Sequence, residues 1–251
     1  MNKVNSNLDF YLPFRQHGTS LANARREIYA NVNRLASPTG VGFFNVLAFR
    51  GVFFGSPFAQ SNHFRWFNGY EDWEDFIMED GGAEEEYYVK KNCYGTFQPD
   101  RSTLLLKGYW KQRNLWNTMF NQAEKPTVHQ VYNWLISKTE AGVSLFRNIG
   151  PLSALLICGD LIEAGLMEMP LPRKWAEFIF KVGKGAMMGM SAIRLVKDNS
   201  NIEELCNAFE YLDLALQQEL AEDEKEAMGY NVVMLEHTLC KIKRLINFLP
   251  C

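Results

Sequence analysis

The chain has no two cysteines at CxxC spacing. Cys93, Cys158, Cys206, Cys240 and Cys251 are odd in number and far apart, which speaks against a disulfide framework or a zinc knuckle and fits a reducing compartment. The four histidines, His17, His63, His129 and His237, stand at no metal-ligand spacing to one another, so no catalytic metal is expected. No apolar run is long enough to span a bilayer, and MNKVNSNLDFYLPFRQHGTS lacks a signal-peptide core. The expectation is therefore a soluble, intracellular protein with no membrane partner. Excess positive charge is missing as well: 26 Lys and Arg against 29 Asp and Glu leave a net charge of −3, which excludes a protein that coats nucleic acid over its whole surface. Finally, GKG at 183–185 is followed by Ala and has no upstream Gly at P-loop spacing, which disfavours a free-standing nucleotide kinase.

What is present is apolar and aromatic. With 47% hydrophobic residues, 18 Phe, 10 Tyr and 6 Trp in 251 residues, the chain has the material for a large core, and its rings are also surfaces on which unstacked bases lie. Apolar positions at three-to-four spacing predict helices over most of the length. Leu21, Ala24, Ile28, Val32 and Leu35 predict one helix after Thr19-Ser20, ended by Ser37-Pro38-Thr39-Gly40. VGFFNVLAFRGVFFG follows, with Asn45 and Arg50 in apolar surroundings. A buried guanidinium needs an anionic partner, either an internal carboxylate or a bound anion. Residues 57–100, with HFRWFNGYEDWEDF and a run of turn formers and charge, read as an irregular insertion at the surface or active site. From Ser102 the helical pattern resumes, including VHQVYNWLISKTEAGVSLF. No repeat or linker is evident, so the reading is a mainly α domain over 1–251, one unit or two helical lobes.

The most informative stretch is Phe146-Arg147-Asn148-Ile149-Gly150-Pro151-Leu152-Ser153-Ala154. It resembles the hairpin of helix-hairpin-helix DNA-binding proteins, in which a tight turn leads into a helix whose first N–H groups face a DNA phosphate. Asn148 stands where Gly is usual, and Asn enters the left-handed region more readily than most residues. Arg147 replaces the usual Pro, which costs rigidity, and is expected to add a phosphate contact. Arg147, Asn148, Gly150 and Ser153 are the expected DNA-binding residues, and the hairpin carbonyls are where a structural monovalent cation would sit. No other cofactor is expected.

Three blocks within 142–244, IGPLSALLICGDL at 149–161, VGKGAMMGM at 182–190 and MLEHTLCKIKR at 234–244, resemble in order and spacing those of the alpha-glutamyl/putrescinyl thymine pyrophosphorylase group. These phage amino acid:DNA transferases are related to the helical domain of 5-hydroxymethyluracil DNA kinases. Lys184 stands where that family often has Pro, and Lys241 where it often has Glu. The resemblance implies a helix-hairpin-helix DNA glycosylase-like fold. It also implies a transferase that displaces pyrophosphate from 5-pyrophosphoryloxymethyl-deoxyuridine in double-stranded phage DNA with an amino acid or polyamine. Such an enzyme acts after the kinase, in the cytoplasm of the infected bacterial host. A glycosylase-like hydrolase and a non-catalytic modified-DNA-binding module are the alternatives. Hydrolysis fits less well, because Asp160 follows Gly150 by ten residues, whereas such glycosylases are expected to place their Asp roughly twenty on.

Displacement needs a met leaving group, a neutral amine and an extruded base. Lys184, flanked by Gly183 and Gly185, is the residue expected to meet pyrophosphate. Asp160, in the apolar run ALLICGDLI, is expected to contact the amine, or else to form a cap or salt bridge. Glu236, Cys240 and Lys243 share one helical face and complete the catalytic or pocket set with Asn45 and Arg50. For Cys240, addition to the pyrimidine and an inert buried thiol both stay open.

Overall fold

A computed structural model describes residues 18–89, 100–120, 124–182 and 185–245, with side chains to 242. Among these residues all regular structure is helical, apart from an isolated antiparallel bridge between Lys138 and Ser144. The mainly helical expectation holds at that level. No described helix is long and apolar enough to cross a membrane. The chain divides into two compact units, Thr19–Met169 and the stretch from Pro170 onward.

In the first unit, α1 (Thr19–Ala24) runs directly into a π-helical turn, Arg25–Tyr29. The wider turn changes the phase of the apolar stripe, and Asn31 then caps a new short helix, α2 (Val32–Leu35), its side chain accepting from Arg34 N at 3.0 Å. The single helix expected from Leu21 to Leu35 is thus interrupted. Leu21, Ala24, Ile28 and Leu35 are buried, whereas Val32 is exposed. Helix α3 (Val41–Ala48) likewise continues into a π turn, Phe49–Phe53, and both are buried along nearly their whole length.

Residues 57–89 hold α4 (Pro57–Gln60), capped by Ser56, and α5 (Tyr70–Asp80). Their rings build core. Phe53, Phe58, Phe64, Phe67, Trp73 and Tyr87 are buried and pack edge-on or tilted, with centroids 5.1–6.3 Å apart, the geometry aromatic quadrupoles favour. Asn45 anchors this layer: its amide donates to Phe67 O at 2.8 Å, and its oxygen accepts from Phe67 N at 2.9 Å.

Next come α6 (Leu105–Lys111), α7 (Leu115–Phe120), α8 (Val128–Leu135) and α9 (Pro151–Glu163). The helix expected through Phe146 stops at Leu135. Residues 136–145 instead fold back on themselves, with Thr139 N donating to Val143 O and Leu145 N to Ser137 O, because Gly142 takes φ +76° in the turn.

The second unit contains α10 (Pro172–Val182), α11 (Gly185–Ala192), α12 (Ile202–Glu219), α13 (Glu222–Met228) and α14 (Val232–Leu245). The helical pattern at 202–228 divides at Leu220, which is extended (ψ 133°). Helices α10 and α12 pack together, as do α11 and α14. Gly189 brings the latter pair close: a Cβ there would run into Leu239 O. Arg101 and Lys241 are buried, and Arg113 lies over Trp110, 4.0 Å from its centroid.

Candidate functional site

The 146–154 stretch forms a tight turn followed by a helix. Ile149 N donates to Phe146 O at 3.1 Å, closing a turn in which Asn148 adopts φ +64°, the left-handed conformation that Asn enters more readily than most residues. Gly150 is the N-cap of α9, Pro151 is the first helical residue, and Ala154 N makes the first intrahelical bond, to Gly150 O at 2.9 Å. The N–H groups of Leu152 and Ser153 precede that bond and have no intrahelical acceptor, as at any helix start. Arg147, Pro151 and Leu152 are exposed, and no atom lies within 4 Å of where a Gly150 Cβ would stand. Open backbone and partial positive charge therefore coincide at this edge.

Two of the expected DNA-binding side chains face inward. Asn148 donates its amide to Gly51 O at 2.7 Å, so it holds the turn instead of reaching outward. Ser153 is buried, at 6% exposure, and offers only its backbone to a phosphate. The turn is docked by α6 as well: Tyr109 donates its hydroxyl to Arg147 O at 2.6 Å, and Gln112 its amide to Leu145 O at 3.3 Å. Gly51 makes room for Tyr109, whose hydroxyl would clash with a Cβ at that position. Phe146 O and Arg147 O each already accept a hydrogen bond. A monovalent cation at the turn would have to share these oxygens.

Arg50 and Asp160 meet in the interior. Arg50 Nε donates to Asp160 Oδ2 at 2.6 Å and Nη2 to Oδ1 at 2.7 Å, with side-chain exposures of 2% and 0%. Tyr29 donates its hydroxyl to the same Oδ2 at 3.0 Å. The guanidinium also lies 4.6 Å from the Phe54 ring centroid. Of the two partners the sequence left open for Arg50, the internal carboxylate is the one in place. Asp160 likewise forms a salt bridge, and its oxygens are engaged by a bidentate guanidinium and a phenol. Tyr29 and Arg50 sit in the two π-helical turns, a backbone form that recurs at functional sites because it redirects side chains out of the regular helical stripe.

One turn beyond Asp160, Glu163 pairs with Arg25, which lies in the first π turn, at 3.1 Å. Leu21, Arg25, Tyr29, Asp160, Glu163 and Ala164 line a cavity of about 110 Å³. Of these, the sequence pattern marks only Asp160 as a candidate site residue. Arg25 and Glu163 look like ordinary surface charges on amphipathic helices, and Tyr29 like a core ring.

In the second unit, the i, i+4 spacing of Glu236 and Cys240 brings them together, with Cys240 Sγ donating to Glu236 Oε1 at 2.8 Å. Glu236 is buried and Cys240 half-buried. Gly185 in α11 faces Cys240, and a Cβ there would crowd the sulfur. Gly183, Lys184 and the Lys243 side chain lie outside the described residues. Among the described residues no cluster of three or more His, Cys, Asp or Glu is arranged to hold a metal ion.

Comparison with known protein families, characterised proteins and solved structures returns no match for this chain.

Proposed function

We propose that the protein is a DNA-base-modifying transferase of the thymine-hypermodification type. It acts in the cytoplasm of a phage-infected bacterium on double-stranded phage DNA already processed by a 5-hydroxymethyluracil DNA kinase. The observation that supports this reading most is the composition of α9. One helix begins with an open, turn-docked N-terminus suited to a phosphate and, three turns on, carries carboxylates beside a small charged cavity. DNA-backbone binding and a place for a small polar co-substrate are thus combined on one rigid element.

In the reaction, the lone pair of a neutral amine forms a C–N bond at the 5-methylene carbon as the C–O bond to pyrophosphate breaks. The bonding electrons leave with pyrophosphate, and the amine's surplus proton passes to a carboxylate or to water. On this reading Arg147 and the N–H groups of Leu152 and Ser153 hold the backbone, and Asp160, fixed by Arg50, orients Tyr29 at the cavity. Glu236, Cys240 and Gly185, in the second unit, are assigned to recognition of the base. Lys184, Gly183 and Lys243 are assigned to the leaving group. The hairpin carbonyls carry no step.

Mass analysis of nucleosides tests the proposal, after incubating the full chain with kinase-treated hydroxymethyluracil DNA and a mixture of glycine, glutamate, serine and putrescine. An amine adduct on the base supports transfer. Release of free base supports a glycosylase-like hydrolase, and DNA that is bound but unchanged in mass supports a binding module.

A further inference from the structure

We infer that the two-stranded finger at 137–145 enters the major groove of duplex DNA and selects thymine there through its C5 methyl group. The inference rests on the reading that the turn at 146–150 docks on a DNA phosphate. It supplies what that contact lacks, since a phosphate carries no base information.

The finger is rooted in the docking turn itself. Residues 137–139 and 143–145 pair antiparallel: Leu145 N donates to Ser137 O at 2.9 Å, Thr139 N donates to Val143 O at 2.8 Å, and Lys138 faces Ser144 between them. Gly142 N closes the tip on Thr139 O at 2.8 Å. The root is fixed, because Gln112 donates to Leu145 O at 3.3 Å and the next residue, Phe146, is buried. From 138 to 144 every residue is exposed. A ribbon this exposed adds little to the core; it presents side chains outward, one residue away from the turn.

Shape selects the groove. Strands of three residues reach roughly 10 Å at about 3.3 Å each, enough to meet base edges in a major groove about 8.5 Å deep and about 12 Å wide. Two strands about 4.8 Å apart, with side chains on both faces, are too broad for a minor groove about 6 Å wide. On the proposed function, the 5-methylene carbon of the target base projects into this same major groove.

Chemistry selects the base. Side chains alternate along each strand, so Thr139 and Val143 are cross-strand neighbours on one face, and Lys138 and Ser144 occupy the other. Val143 is 54% exposed, and with Thr139 it offers methyl groups to the groove. The C5 methyl of thymine is the apolar mark displayed there, and small methyl-bearing side chains are its contacts. Lys138 and Glu140 are the only charged residues of the finger and cancel. It therefore adds little attraction to phosphate, and its contribution is selectivity.

Fluorescence anisotropy of the full chain on two labelled duplexes tests the inference. The duplexes share one sequence and differ only in carrying thymine or uracil opposite every adenine, which isolates the methyl group. The thymine duplex should bind about fourfold more tightly, the effect of burying one methyl group. Val143→Ser combined with Thr139→Ser removes methyl groups at exposed positions and leaves the backbone bonds intact. That variant should keep its unfolding midpoint, bind the uracil duplex as wild type does, and lose the preference for thymine. Gly150→Val should weaken both duplexes alike. Equal wild-type affinity for the two duplexes, or a preference that survives in the double variant, overturns the inference and leaves the docking turn standing. Binding of neither duplex removes the docking reading and the inference with it.

Discussion

Arg50 and Asp160, 110 residues apart in sequence, form a buried bidentate pair at 2.6 and 2.7 Å that ties the second π turn to the helix beginning at the hairpin. The residue after Arg50 completes the link, since Gly51 O accepts from the Asn148 amide at 2.7 Å. One short segment thus holds both the turn and the helix that follows it, so the hairpin's geometry depends on the interior charge pair.

Breaking that pair from one side leaves an uncompensated buried charge. Asp160→Asn or Arg50→Met alone should destabilise the fold by about 3–5 kcal/mol, whereas the double change Arg50→Met with Asp160→Leu should recover most of the loss. Denaturant unfolding of the three variants measures this. Equal destabilisation in the double and single variants would show that the pair does more than compensate charge.

Gly51→Ala places a methyl group against the Tyr109 hydroxyl, which then cannot keep its bond to Arg147 O. The expected cost is about 1–3 kcal/mol of overpacking, with a loss of duplex affinity because the turn shifts. Tyr109→Phe removes only the hydrogen bond and should cost about 0.5–1.5 kcal/mol. Unfolding curves and fluorescence anisotropy on a labelled duplex separate the two effects.

Gly150→Val should fold normally, since Gly150 has φ −98° and its Cβ direction is open. The added side chain projects where a phosphate would approach, so affinity for any duplex should fall by a similar factor whatever its sequence. Arg147→Ala should flatten the dependence of log affinity on log salt by about 0.9, the share of one phosphate contact. Unchanged binding in both variants would show that DNA does not dock at this edge.

Burial pushes the Cys158 thiol well above its ordinary range, with the Asp160 charge adding to the shift. The folded state therefore keeps a proton that the unfolded chain gives up. Stability from this group is complete below the ordinary thiol value of about 8.5 and falls as pH rises, by up to about 1.4 kcal/mol per unit. Urea unfolding from pH 7 to 10 should show the decline, and Cys158→Ala should make it shallower. In the native protein iodoacetamide should modify the half-buried Cys240 before the buried Cys158 and Cys206. A slope unchanged by the substitution would show that Cys158 does not set the decline.

Helical periodicity located most of the helices, and the identity of residue 148 anticipated a left-handed turn. Arg50 and Asp160 were each recognisable as charges in apolar runs that need a partner. That they are each other's partner was not, because tertiary packing sets such a pairing and local spacing does not. The π turns were invisible to a 3.6-residue template. By altering the helical phase they bring Arg25 and Tyr29 to the cavity, where the pattern had shown a surface charge and a core ring. Residues 57–100 read as irregular because Gly, Asn and charge interrupt the pattern; 90–99 lie outside the described residues, but in the described part Trp73 and Phe76 on α5 complete an aromatic core whose other rings come from outside that helix. In 136–145, Gly142 overrode an apolar spacing that otherwise reads as helix.

On the proposed function an amine replaces pyrophosphate on a base held in duplex DNA. The most direct test of this sets hydroxymethyluracil DNA with and without prior kinase treatment side by side, adds the full chain and glycine, and weighs the released nucleosides. A glycine adduct is expected at the 5-methylene carbon only in the kinase-treated DNA, because pyrophosphate is a far better leaving group than hydroxide. An adduct on untreated DNA, or none on either, would contradict it.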